Sequence, residues 1–517
     1  MPTARLLRPL VVLVGVAALI LAGCAPDKNQ VTQPTASASE PSASASSSGS
    51  APAPDADLAE YYGQKLDWKK CDAGQCAEVK VPLDYADPTG AAISLALARH
   101  EADGKAIGSL LLNPGGPGAS GVDFLEPFLG QATSTLKKNF DIVAFDPRGI
   151  QRSEPIECVD AKEMDRLIAL DPDTSTDAGL QAMIDESAKF SKECLNRSGE
   201  VFGHVDTVSA ARDLDVMRAV LGDDELHYLG FSYGTKLGAT YAALFPERSG
   251  RLVLDGALDP TLAEGEIESG QAAGFENALR AYVTDCLQGS ACPLTGSVDD
   301  GMTQIRELLD RAKAHPLPTG TDRDLTQSLA FSGIAVTLYS QSYWSALTSG
   351  LSAAIKQGDG GPLLSFADVY YDRNEDGTYA TNSTEAFRAV NCLDDRSDPD
   401  FDAMRAEAAQ IVKVAPTVGS FFSYGGTSCA DWAVPEVGGL EDYSAKGAPP
   451  ILVVGTTNDP ATPYKWAQSL AKTLSSGVLL TFEGEGHTAY RAENACIAKV
   501  VDAYLVDGTV PDDGTRC

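Results

Sequence analysis

The hydrophobic pattern after about residue 58 consists of short apolar runs separated by longer segments with helical character. Two early runs, Val79–Asp84 and Ile93–Arg99, predict an antiparallel start to a sheet. Several later runs are predominantly apolar, and Ile451–Gly455 is continuously apolar, which is typical of strands buried in a parallel sheet. These runs are Ser109–Asn113, Phe140–Phe145, Leu226–Leu229, Arg251–Gly256, Ile451–Gly455 and Val478–Phe482. Because helical segments alternate with strands, the sequence predicts an α/β fold with a mostly parallel sheet.

The pattern becomes mainly helical between residues 259 and 441. Because this segment lies between two predicted strands, it predicts a helical cap inserted into a core made of residues 58–258 and 442–517. Aromatic residues cluster within this segment. Ordinary core packing is one interpretation of the cluster, and the lining of a substrate cleft is the other. The aromatic residues are Tyr339, Tyr343, Trp344, Phe366, Tyr370 and Tyr371.

The first 23 residues predict a targeting segment. Arg5 and Arg8 precede an apolar run, Leu10–Leu21, that is too short to span a membrane as a mature helix. The run ends Leu-Ala-Gly-Cys24, which resembles a bacterial lipoprotein signal; the resemblance implies that Cys24 carries the lipid. An ordinary secretory signal is the alternative. Residues 24–57 are rich in Ser, Ala and Pro, which is typical of a disordered tether.

The net charge and the cysteine content indicate which binding partners and which cellular compartment to expect. The net charge of −32 and the scattered basic residues argue against binding to nucleic acid or anionic membranes. Ten cysteines remain besides Cys24, and in an exported chain an even number of cysteines favours disulfides. No Cys/His cluster has zinc spacing, so we expect no metal. We also expect no cofactor. Local pairing suggests Cys71–Cys76, Cys158–Cys194, Cys286–Cys292, Cys392–Cys429 and Cys496–Cys517.

The Gly-x-Ser-x-Gly pattern at Gly230–Gly234 is the strongest chemical signal. A serine hydroxyl is a poor nucleophile unless it is held exposed and a base takes its proton. The pattern lies between a predicted strand and a predicted helix, Thr235–Phe245, which is the context of a nucleophile elbow. Ser232 is therefore the candidate nucleophile, although the bare pattern also occurs in ordinary loops.

His487 is the candidate base among five histidines. In this fold the chain order is Ser, Asp/Glu, His, and three of the other histidines precede Ser232. His315 follows the serine but lies in a Pro-rich turn, whereas His487 lies in a Gly-rich loop after a predicted strand. A solvated surface histidine is the alternative interpretation.

Asp459 is the candidate carboxylate. It follows the Ile451–Gly455 strand, and catalytic groups of open α/β sheets lie beyond the carboxyl ends of strands. A turn before Pro460 or a helix cap would also account for this aspartate. Asp442 and Glu485 are alternatives for the same role.

The oxyanion hole requires two backbone N–H groups. Tyr233 follows the nucleophile and supplies one candidate donor. The Pro114–Gly118 loop follows another predicted strand, and its glycines allow close approach to a substrate. Gly116 is the second candidate donor, and a plain Pro/Gly loop is the alternative.

Together these segments resemble the actinobacterial tripeptidyl-aminopeptidase-like serine peptidases, relatives of proline iminopeptidases. The resemblance covers nearly all of the mature part. It rests on Val81–Tyr85, Asn113–Gly118, Asp146–Gly149, Gly230–Thr235, Asn391–Asp394 and Asn458–Pro463. It implies an α/β-hydrolase core with a helical cap, the triad Ser232, Asp459 and His487, and peptide substrates cut near a free N-terminus.

Two further positions bear on the shape and the charge of the substrate site. Gln151 stands where the family usually has a second glycine, so the local shape of the cleft is in question. Asp394 is a candidate for binding a substrate amine, because a carboxylate near the cleft would pair with an ammonium; a surface acid or helix cap is the alternative. An esterase or lipase, or a catalytically silent binding lipoprotein, are the rival functions.

Overall fold

The structure, a computed structural model, describes residues 56–396 and 399–517. The predicted targeting segment, Cys24 and the predicted tether up to residue 55 lie outside the described residues. One sheet runs through the described part, in the order β1-β2-β3-β5-β4-β6-β7-β8-β9-β10. The strands are β1 (Lys69–Cys71), β2 (Gly74–Pro82), β3 (Ala92–His100), β4 (Ser109–Asn113), β5 (Asp141–Phe145), β6 (Leu226–Phe231), β7 (Ser249–Asp255), β8 (Ile451–Asn458), β9 (Gly477–Glu485) and β10 (Thr515–Arg516).

The sheet is antiparallel at one edge and parallel elsewhere, which confirms the predicted fold class. The pairs β1–β2, β2–β3 and β3–β5 are antiparallel. The remaining pairs, from β5–β4 through β9–β10, are parallel. The carboxyl ends of β4, β6, β7, β8 and β9 therefore lie along the same edge of the sheet, where open α/β folds place their catalytic groups.

Helices pack around the sheet. They are α1 (Ala59–Tyr62), α2 (Gly121–Gln131), α3 (Ser134–Asn139), α4 (Ala161–Ile168), α5 (Asp177–Ser198), α6 (Thr207–Leu221), α7 (Tyr233–Leu244), α8 (Glu264–Cys286), α9 (Val298–Ala314), α10 (Gln327–Leu338), α11 (Trp344–Ser352), α12 (Gly361–Tyr370), α13 (Ser383–Asp394), α14 (Phe401–Val414), α15 (Tyr464–Thr473) and α16 (Ala495–Asp507). Helices α8–α14 lie between β7 and β8, as a helical insertion requires. The domain boundaries at 58, 259 and 442 stay predictions. Among the described helices, none is long and apolar enough to cross a bilayer.

The central strands carry apolar side chains to both faces of the sheet, as their apolar runs in the sequence predict. Leu111 of β4 packs into one core cluster, and its neighbours Leu110 and Leu112 pack into the cluster on the other face. All three side chains are buried. Burial of each contributes about 1.5–3 kcal/mol relative to exposure, so the strand is anchored from both sides.

A buried ion pair joins two of the sequence motifs to α6. Arg148 and Asp213 are both buried, and the guanidinium donates from Nε and from Nη2 to the carboxylate, at 2.7 Å each. Tyr85 donates its hydroxyl to the same carboxylate at 2.8 Å. The other guanidinium N–H groups donate to the carbonyls of Leu83, His204 and Pro82. The arginine motif therefore supports the fold rather than the chemistry.

Five disulfides join the same cysteine pairs that the sequence suggests. The pairs Cys158–Cys194 and Cys392–Cys429 span 36 and 37 residues. Closing loops of that length restricts the unfolded chain and contributes about 3–4 kcal/mol each. Cys392–Cys429 also ties α13 to the chain that follows α14, within the helical insertion.

Candidate active site

Ser232 occupies a strained turn between β6 and α7. Its φ of 54° and ψ of −123° lie outside the regions that residues with a side chain normally adopt. A Cβ added at Gly230 would lie 2.5 Å from the carbonyl oxygen of Gly234. One added at Gly234 would lie 2.8 Å from Oδ1 of Asn113. Both glycines are therefore required by close packing, and the turn has the geometry of a nucleophile elbow.

His487 and Asp459 lie in direct contact. Strand β8 ends one residue before Asp459, and β9 ends two residues before His487. Nδ1 of His487 is 2.9 Å from both carboxylate oxygens of Asp459. Because Nδ1–H is directed at the carboxylate, Nε2 is the nitrogen left to take a proton.

Backbone donors fix the Asp459 carboxylate in this orientation. The N–H groups of Ala461 and Thr462 donate to Oδ1 at 2.9 Å each. The N–H of Thr488 donates to Oδ2 at 3.3 Å. The carboxylate is thus held by the loop after β8 and by the residue that follows His487.

The environment of His487 favours its protonated form. The side chain is only 9% exposed, and burial alone lowers the pKa of an imidazole. The Asp459 carboxylate opposes that effect through its charge and its hydrogen bond, and the net result is a raised pKa. An imidazolium at this position is therefore stabilised.

Ser232 and His487 lie on either side of the end of β7. The N–H of Ser232 donates to the carbonyl of Asp255 at 2.9 Å. The next residue, Gly256, has a φ of +67°, and a Cβ there would lie 3.2 Å from Cε1 of His487. The elbow and the histidine loop therefore meet at the same two residues.

The Pro114–Gly118 loop lies against the elbow. Gly115 has a φ of +97°, and a Cβ there would lie 2.9 Å from Cβ of Ser232 and 3.2 Å from the Tyr233 nitrogen. Tyr233 begins α7, so its N–H has no partner inside the helix. Gly116 is the next residue of the loop and also has a positive φ, +107°. The roles of Gly116 and Tyr233 as oxyanion donors stay predictions, and this arrangement is consistent with them.

The helical insertion contacts the catalytic loops directly. The backbone N–H of His487 donates to the carbonyl of Tyr339 at 2.9 Å, and the two rings meet edge to face with centroids 5.2 Å apart. A Cβ at Gly118 would lie 2.5 Å from the carbonyl oxygen of Ser383 in α13. The insertion therefore contacts both the histidine loop and the Pro114–Gly118 loop.

The other aromatic residues of this cluster differ in how deeply they are buried. Trp344 is buried, and Phe366 and Tyr371 are partly buried against the core. Tyr343 and Tyr370 are exposed. Of the cluster, Tyr339 is the residue that contacts His487.

Asp394 is occupied by protein groups. It is buried, pairs with Nζ of Lys236 at 2.8 Å, and accepts from the backbone N–H and the hydroxyl of Thr207. A carboxylate already neutralised by a lysine has little charge left for a substrate ammonium. The structure therefore speaks against Asp394 as the amine site.

The alternative carboxylates make other contacts. Asp442 is exposed and accepts from the N–H of Ser444 at 2.8 Å. Glu485 accepts from the side-chain amide of Asn458. Neither forms a hydrogen bond with His487, which is paired with Asp459.

Gln151 takes a glycine-like conformation with a φ of +45°. Its N–H donates to Oδ1 of Asn382 at 3.0 Å, and its side-chain amide donates to the carbonyl of Ala380 at 3.0 Å. The departure from the family pattern therefore adds a contact between the arginine loop and the helical insertion.

Two residues of the site were not predicted from the sequence. Thr462 places its hydroxyl 3.3 Å from Nδ1 of His487. Asp255 accepts the backbone N–H groups of Ala489 and Tyr490 in the histidine loop. Thr462 had a signal in the sequence, because it follows Asp459 by three residues. The contacts of Asp255 had none, because its partners are backbone N–H groups.

The chain is similar in sequence to known hydrolases. Serine protease Hip1 of Mycobacterium tuberculosis is 38% identical over 482 residues, covering 88% of this chain and 91% of that protein. The chain belongs to the same family of α/β-hydrolases. Residues 415–517 match the family model described as TAP-like protein.

Two further relatives show the range of this family. Carboxylesterase B of M. tuberculosis is 37% identical over 453 residues, covering 86% of each protein. Tripeptidyl aminopeptidase of Streptomyces lividans is 31% identical over 469 residues, covering 87% of this chain and 86% of that protein. The chain is a serine hydrolase of the α/β-hydrolase type.

Proposed function

We propose that this protein is an exported, lipid-anchored serine exopeptidase that cleaves peptides near their free N-terminus. The observation that carries the proposal is the contact of His487 with Asp459 at 2.9 Å, together with the strained backbone of Ser232. The similarity to serine protease Hip1 and to tripeptidyl aminopeptidase favours a peptide substrate.

The residues would act in the order that their contacts suggest. Nε2 of His487 takes the proton of Ser232 as Oγ attacks the scissile carbonyl, and Asp459 stabilises the imidazolium. The N–H groups of Tyr233 and Gly116 hold the oxyanion, each worth about 10²–10³ in rate. His487 then protonates the leaving amine, and water hydrolyses the acyl-enzyme by the same base.

The location is a separate part of the proposal. The sequence before the described residues predicts a signal and lipidation at Cys24, which would anchor the protein to the membrane outside the cytoplasm. Five disulfides suit an oxidising compartment. Replacing Cys24 with serine is expected to release the protein from the membrane fraction into the medium; retention in the membrane would contradict the anchor.

Substrate choice is tested by comparing free peptide anilides, N-acetylated peptide anilides and p-nitrophenyl esters on one enzyme preparation. We expect turnover of peptide anilides with a free N-terminus and little turnover of the same peptides after N-acetylation. Mass spectrometry of the products gives the number of residues released per cut. Ser232→Ala is the control for contaminating peptidases. Equal cleavage of acetylated and free peptides would contradict the exopeptidase proposal.

An esterase is the second candidate, because one relative is named carboxylesterase B. Preferred turnover of p-nitrophenyl esters over every free-amine peptide would favour it. No turnover of any substrate, with intact peptide binding, would favour a catalytically silent binding protein. These outcomes are distinct from a failure of N-terminal preference.

A further inference from the structure

A second buried carboxylate lies beneath the catalytic loops. Asp255 is fully buried at the end of β7. Its carboxylate accepts the N–H of Ala489 at 3.0 Å with each oxygen and the N–H of Tyr490 at 2.7 Å. It forms no hydrogen bond with the His487 imidazole, so it does not belong to the triad.

Asp255 and Asp459 together hold four consecutive residues of the histidine loop. Asp459 holds the ring of His487 and the N–H of Thr488. Asp255 holds the N–H groups of the next two residues. The carbonyl of Asp255 also accepts the N–H of Ser232. One residue is thus bonded to both the elbow and the histidine loop.

A negative charge on the Asp255 carboxylate is energetically unfavourable, because the side chain is buried. Burial raises the pKa of Asp255 to about 6, although its backbone donors and the nearby His487 oppose the shift and Asp459 adds to it. A buried polar side chain with three hydrogen bonds from one loop is a strong positional constraint, because releasing it leaves those groups unpaired.

We infer that Asp255 is a positioning residue that sets the distance and orientation of the His487 ring relative to Ser232. It acts through backbone N–H groups, and its negative charge adds to that of Asp459 in favouring the imidazolium. Arg491 acts on His487 in the opposite direction. The inference rests on the proposed triad but on neither the peptide substrate nor the lipid anchor.

The test measures how the labelling rate by a fluorophosphonate probe depends on pH. Asp255→Asn keeps one acceptor and removes the charge, so we expect labelling about tenfold slower and an acid limb at lower pH. Asp255→Ala also removes the acceptor, and we expect a loss of about 10²-fold. Thermal unfolding of each variant separates positioning from loss of fold.

Asp223→Asn is the matched control. Asp223 is a partly buried carboxylate whose pKa is likewise raised by burial, and it accepts the N–H of Ser109 at the amino end of β4. We expect wild-type labelling and an unchanged acid limb. A folded Asp255→Asn with the wild-type rate and limb, or an equal loss in folded Asp223→Asn, would overturn the inference. Absent labelling of wild type would instead contradict the triad.

Discussion

Asp459 holds the imidazole of His487 with both of its carboxylate oxygens, each 2.9 Å from Nδ1. The carboxylate is itself fixed by three backbone N–H groups. The orientation of the ring therefore does not depend on a flexible side chain. This contact leaves Nε2 as the imidazole nitrogen that is free to take a proton.

Replacing Asp459 with asparagine should abolish most activity while preserving the fold. An asparagine amide removes the negative charge and allows the wrong imidazole tautomer, so we expect kcat to fall by about 10⁴-fold. Steady-state kinetics on the best peptide or ester substrate gives the value. Asp442→Asn is the control, because Asp442 is exposed and contacts Ser444. A loss below tenfold in Asp459→Asn would contradict the role of Asp459.

The pH dependence of kcat/KM should report the raised pKa of His487. The base must be neutral to take a proton, so activity should fall as pH decreases through this pKa, which lies above the ordinary histidine value of 6.5. Removing the Asp459 charge lowers the pKa, so residual activity of Asp459→Asn should extend to lower pH. An acid limb below 6.5 in wild type would contradict this prediction.

Gly115→Ala should damage the site far more than a comparable change elsewhere. Gly115 has a φ of +97°, and its Cβ would lie 2.5 Å from the carbonyl oxygen of Phe231. We expect kcat/KM to fall by about 10²-fold, because the loop must move away from the elbow. Gly320→Ala is the control, with a φ of +76° and no atom within 4 Å of its Cβ. It should lose about 1 kcal/mol of stability and no activity. Equal kinetics in the two variants would contradict the close packing.

Arg148→Met should destabilise the protein without acting on the chemistry. It leaves Asp213 buried without its cation, which costs about 3–5 kcal/mol. Denaturant unfolding with the disulfides intact gives the change. Arg280→Met is the control, since Arg280 and Asp299 are 43% and 82% exposed; it should cost less than about 1 kcal/mol. Similar costs in both variants would show that burial of the pair contributes little.

The parts that the sequence predicted are those with local signals. Apolar runs marked the central strands, and Ser232, Asp459 and His487 follow strands whose carboxyl ends a parallel sheet must place together. The nearest-neighbour cysteine pairs also agree with the structure. Each of these features depends on short-range patterns and on the order of strands along the chain.

The parts that the sequence did not predict depend on partners distant in the chain. The ion pair of Asp394 with Lys236 could not be predicted, because the two residues are distant in the chain. Arg148 and Asp213 are 65 residues apart, so their pairing has no local pattern. Asp255 acts on the histidine loop through backbone N–H groups, which carry no residue-type signal.

The most direct test of the account is to find where a fluorophosphonate probe attaches. Peptide mapping by mass spectrometry should place a single adduct on Ser232, and the adduct should be absent from a folded Ser232→Ala variant. His487→Ala should react far more slowly at the same residue, because the base is lost. An adduct on another residue, or undiminished labelling of Ser232→Ala, would contradict the triad.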